Sequence, residues 1–85
     1  MVKGNQIASI NACAAYFAQA NYQVDVTFYP NDAGCMCSVF FDDLKKKESI
    51  IKSMRCFKDE VDEIRFSEHK LGMREKFYVL KLEKF

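Results

Sequence analysis

Twice in 85 residues, a stretch with helical spacing of its apolar side chains gives way to two stretches that alternate, the first of them strictly. That repeated change of period restricts the fold more than any other feature. Residues 5–20 are rich in alanine and lack Gly and Pro, which predicts a helix. At about 100° per residue, Ile7, Ile10, Ala14 and Phe17 share one stripe, with Cys13 and Ala18 at its edges. In the next stretch Val24, Val26 and Phe28 point one way, and Gln23, Asp25, Thr27 and Tyr29 the other. Pro30-Asn31-Asp32-Ala33-Gly34 has the composition of a hairpin loop. The chain returns with Cys35, Cys37, Val39 and Phe41 inward and Met36, Ser38 and Phe40 outward.

The plan then repeats. Asp42 or Asp43 is placed to cap a second helix. Leu44, Ile50, Ile51, Met54, Phe57 and Val61 fall on one broad side of it, with lysines over much of the rest. Ile64 and Phe66 face inward on a third strand, His69-Lys70-Leu71-Gly72 is expected to turn the chain, and Tyr78, Leu80 and Leu82 face inward on a fourth. Phe77 and Val79 are left on the outer side. The order αββαββ divides at about residues 1–42 and 43–85 of a single domain. Short hairpins make antiparallel pairs. The predicted class is α+β: a four-stranded antiparallel sheet with both helices on one face.

Charge is distributed unevenly over this plan. Residues 1–41 carry three charged side chains (Lys3, Asp25, Asp32) and residues 42–85 carry twenty-two. A small soluble domain keeps itself apart from its neighbours with a mixed, charged surface, and only the second half is built that way. The first helix carries Ala8, Ala12 and Tyr16 on the side away from its apolar stripe, where Glu, Lys or Arg would be usual. The formal net charge of +1 gives no global pull towards nucleic acid or acidic membranes.

The N-terminal apolar stretch is interrupted by Asn5, Gln6, Ser9 and Asn11 before it becomes a secretory signal core, and no run reaches the ~18 apolar residues of a membrane span. The expected setting is the cytoplasm, without membrane attachment. There the four cysteines (Cys13, Cys35, Cys37, Cys56) are expected as free thiols. Zinc sites usually pair cysteines two to four residues apart within a tight turn. Cys35-x-Cys37 in a strand separates its sulfurs by about 7 Å, too far for one tetrahedral ion. Buried thiols are the expected reading, with no metal and no cofactor.

No catalytic constellation stands out. Cys56 falls on the lysine side of the second helix near Lys45, Ser49 and Lys52, and nearby cations activate a thiol. A nucleophile also needs a base and an oxyanion site; His69, in its expected turn, has no orienting partner. Lys45, Lys46, Lys52 and Arg55 form a small basic patch, an alternative nucleic-acid-binding surface, largely cancelled by Asp42, Asp43 and Glu48. The outer sheet face carries more weight. With both helices on one side, Tyr29, Met36, Phe40, Phe77 and Val79 are left on the other, where aromatics stack bases or bury against a protein. Asp25, Glu63 and Glu75 mixed with Arg65 favour protein. The expectation is a small non-enzymatic module, an inhibitor or adaptor of a larger protein of the kind that phages and mobile elements encode, or a homodimer, with no small-molecule substrate.

Overall fold

The structure is a computed structural model and describes residues 3–85. The first helix, α1 (Gly4–Gln19), starts where the Lys3 backbone N–H donates to the Gln6 side-chain oxygen at 2.7 Å. The Gln6 amide in turn donates to the Phe85 carbonyl at 2.9 Å, tying the helix start to the chain's last residue. The helix ends in a Schellman closure. Asn21 takes a φ of 69°, its N–H reaches the Ala18 carbonyl, and the Tyr22 N–H reaches the Phe17 carbonyl. The Tyr22 and Phe17 rings, 5.9 Å apart, supply the apolar contact of that motif.

Strand β1 (Gln23–Phe28) and strand β2 (Cys35–Phe41) follow, joined through a short 3-10 turn at Pro30–Asp32. Gly34 closes this hairpin, its carbonyl accepting the Tyr29 N–H at 2.9 Å. Its φ is 155°, and a Cβ here would run into the Lys84 backbone oxygen, so only glycine fits. Asp43 caps the next segment by accepting the Lys45 N–H at 3.0 Å. That segment is a 3-10 turn (Leu44–Lys46), then α2 (Lys47–Met54), then a second 3-10 turn (Arg55–Phe57). Strands β3 (Glu63–Leu71) and β4 (Glu75–Lys84) complete the chain.

All three pairings are antiparallel, in the order β1-β2-β4-β3. The α+β fold is therefore the expected one, a four-stranded antiparallel sheet in the order αββαββ. The register opposes Val24 to Val39, Val39 to Leu80 and Leu80 to Phe66, a row on the helix side. Ile10, Cys13 and Phe17 of α1 and Ile50 and Met54 of α2 close over it, so one core serves both halves.

Several expectations fail in detail. Cys13 is fully buried at the centre of the α1 stripe rather than at its edge. Leu44 and Val61 are exposed, because regular α2 is only eight residues long and both lie beyond its ends. His69–Gly72 is not the turn. Strand β3 continues to Leu71, and Gly72, with a φ of 81°, opens the turn that leads to β4. Lys84, on the core side of β4 opposite Cys35, is completely buried.

Candidate functional site: the uncovered sheet face

Alternation that sends Val39 and Leu80 to the helices sends Phe40, Phe77 and Val79 to the opposite side, which no helix among the described residues covers. Phe40 and Phe77 are half-buried, with ring centroids 6.4 Å apart. His69 pairs with Phe77 across β3 and β4, and its ring lies 4.9 Å from the phenyl and nearly parallel to it, at 13°. The Ser67 hydroxyl is 3.0 Å from His69 Nε2 and fixes the imidazole on that platform. Val79 pairs with Phe40 on one side and Ser67 on the other. At 2% exposure it is the floor of the cluster, and it is corrected from a contact residue to a supporting one.

The other end of the face is polar. The Tyr29 hydroxyl donates to Glu83 at 2.5 Å and lies 3.5 Å from the Met36 sulfur. Burial, then the bond to Glu83, pushes the Tyr29 phenol up to about 12. Arg65 sits 3.3 Å from Glu83 and 2.9 Å from Glu63. Tyr29 and Met36 thus belong to the same face as Phe40 and Phe77, but to a paired, half-buried corner of it.

Beyond the aromatic end lies a groove of about 660 Å³ lined by Tyr22, Phe40, Phe41, Leu71 and Phe77, with Asp42 and Lys46 at its polar margin. Leu71 and Met73, at the end of β3 and in the turn after it, are strongly exposed beside this aromatic end. Sequence reading missed His69, Leu71 and Met73 because it placed the first two in a turn. Continuing the alternation of β3 from Glu63 through Arg65 and Ser67 would have put His69 and Leu71 on this face.

The remaining candidates lie on the helix layer. Ala8 and Ala12 are exposed, and Tyr16 is half-exposed, its ring 5.9 Å from Phe57 and its hydroxyl 3.5 Å from that of Ser53. Tyr16 therefore leans into the junction with the end of α2. Lys45, Lys52 and Arg55 are exposed, while the Lys46 ammonium lies 5.8 Å from the Tyr22 ring centre. Cys56 is exposed, with its thiol directed at the Lys52 carbonyl at 3.9 Å. His69 is on the far face of the sheet, so these two do not meet. Cys35 and Cys37 both face the core, as does Cys13. No helix is long and apolar enough to cross a membrane among the described residues. No family model, curated protein or solved structure matches this chain.

Proposed function

We propose that the protein is a non-enzymatic binding module, an inhibitor or adaptor in the cytoplasm, that seats a partner protein on its uncovered sheet face. The observation that carries this reading is the cluster of Phe40, Phe77 and His69 rings, contributed by three strands to a face without a covering layer. Fully burying an exposed Phe side chain is worth roughly 1.5–3 kcal/mol, and the half-buried rings leave part of that for a partner to gain. The adjoining groove gives a partner's anchor side chain a place to enter, as binding hot spots do. Leu71 and Met73 extend the apolar margin.

Charge on the face supports a protein over a polyanion. The face sets Arg65, held by Glu63 and Glu83, and Lys81 against four acids, Asp25, Glu63, Glu75 and Glu83, so it is not a basic surface. Lys45, Lys52 and Arg55 belong to the helix layer on the other side of the sheet. A nucleic acid using them would bypass the aromatic cluster.

The test is a binding assay with the isolated partner. Phe40→Ala and Phe77→Ala are expected to weaken binding about 30-fold or more, and raising salt is expected to change it little. Charge reversal at Lys45 and Lys52, which do not line the groove, is expected to leave it intact. Unchanged partner affinity in folded Phe40→Ala and Phe77→Ala variants would overturn the reading. So would binding to RNA or DNA that falls steeply with salt and is abolished by the lysine reversals.

A further inference from the structure

We infer that the free edge of β1 pairs with the same edge of a second copy of this chain, antiparallel, about a two-fold axis at Val26. This surface is separate from the aromatic cluster on β2, β3 and β4.

Strand β1 is the first strand of the sheet and has a neighbour on one side only. The Tyr29 N–H bonds to the Gly34 carbonyl, which fixes the phase of the ladder. Gln23, Asp25 and Thr27 direct their backbone groups at Phe40, Ser38 and Met36 of β2. Val24, Val26 and Phe28 then direct their N–H and C=O groups outward. Among the described residues, no backbone hydrogen bond meets them there.

The two sheet edges are defended differently. Glu63, Arg65, Glu68, His69 and Lys70 stud β3, the kind of polar edge that discourages strand addition. Strand β1 carries one charge, Asp25, and no proline. Helix α1, which packs on β1 and β2, has no charged residue between Gly4 and Gln19. A two-fold axis perpendicular to the sheet brings the two copies of that uncharged helix to the same side.

The sequence of β1 is self-complementary in one register only. With the axis at Val26, all three outward positions pair: Val26 with the second copy's Val26, and Val24 with the second copy's Phe28. That covers Phe28, which is 52% exposed in the single chain. On the other face Asp25 meets the second copy's Thr27. An axis at Asp25 would instead oppose two carboxylates, which destabilises a strand pair. An axis at Thr27 would bring Pro30, which has no N–H, opposite Val24.

Sedimentation equilibrium from micromolar to millimolar concentration tests this, with circular dichroism verifying the fold of each variant. The wild-type chain is expected to dimerise, with amide exchange at Val24, Val26 and Phe28 slowing as concentration rises. Thr27→Lys sets a cation opposite Asp25 at two symmetric places and is expected to tighten the dimer about tenfold; Thr27→Asp is expected to weaken it about as much. Asp25→Lys combined with Thr27→Asp restores the pairing with reversed signs and recovers the dimer. Phe77→Ala leaves it unchanged, separating this edge from the proposed partner face. A chain that stays monomeric throughout the range overturns the inference. So does a dimer that ignores charge at Thr27, or one whose three β1 amides exchange at a rate independent of concentration.

Discussion

The Lys84 ammonium is ion-paired to the Asp62 carboxylate with both side chains fully buried, at the end of the core where β4 runs beside Cys35. Asp62 also accepts the Asp59 N–H at 2.8 Å, and the Asp59 carboxylate lies 3.4 Å from the same ammonium. The pair therefore locks the loop that enters β3 onto the last strand. Taking two charges out of water costs several kcal/mol each, repaid only while both are present.

Lys84→Met is accordingly expected to destabilise the fold by about 3–5 kcal/mol, because Asp62 would remain as an unpaired buried charge. That is a large part of what a domain of this size commands. Adding Asp62→Asn should recover much of the loss, since the second substitution removes the orphaned charge. Urea denaturation of the two variants decides it. A Lys84→Met protein as stable as the wild type would mean that the ammonium contributes nothing to holding the loop.

The thiols divide by burial. Cys13 and Cys35 are fully buried in the core: the hydrogen bond between Cys13 and Cys37, together with burial, pushes the Cys13 thiol far up, and burial pushes Cys35 up as well. Cys37 is equally enclosed, whereas Cys56 faces solvent. A disulfide reagent is expected to modify one thiol per native chain and four after denaturation. Cys56→Ala should abolish the native reaction. Fast modification of a second thiol in the native protein would show that the core opens.

Burial of Tyr29, together with its bond to Glu83, makes stability fall in alkali. The phenol is raised from its ordinary value near 10 to about 12 in the fold. Between those values the unfolded chain has released its proton and the folded one has not, so stability decreases as pH rises through that window. Below pH 10 this contribution is fully present. Tyr29→Phe should flatten the decline, measured by denaturant titration at stepped alkaline pH. An equal decline in the variant would assign the effect to other groups.

How much of this was legible in the sequence depends on whether the cause was local. Val24, Val26, Phe41, Tyr78, Leu80 and Leu82 declare their faces by alternation, and Asn21-Tyr22 could end a helix by left-handed propensity alone. The far end of β3 is hidden in the sequence because Glu68 and Lys70 occupy helix-side positions beyond the cover of α1 and α2, where both are exposed and the apolar alternation lapses. The place of His69 is hidden with it, although its parity matches that of Arg65. Lys84 carries no local sign of burial. Its partner is twenty-two residues away and meets it only when the loop closes. Phe40 and Phe77 were legible as outward residues; that Val79 becomes their floor follows from the size of its neighbours across the sheet.

That difference between Val79 and its neighbours gives the last prediction. Phe40 and Phe77 are half-buried on a face without a second layer, and truncating them removes ring contacts without opening a hole in the core beneath the helices. Phe40→Ala and Phe77→Ala are each expected to cost no more than about 1 kcal/mol, far below the 3–5 kcal/mol of a Phe lost from a closed core. Val79→Ala removes methyl groups from a site that is 2% exposed, and is expected to cost about 2 kcal/mol despite the smaller deletion. His69→Ala should behave like the two Phe variants, since its ring lies on top of Phe77 rather than beneath it. Thermal and urea unfolding of the four variants rank them. If either Phe variant unfolds more easily than Val79→Ala, the rings are structural core and the uncovered face is not free to receive a partner. If the predicted order holds, the aromatic cluster can be altered without loss of the fold, which is the condition any binding assay on this face requires.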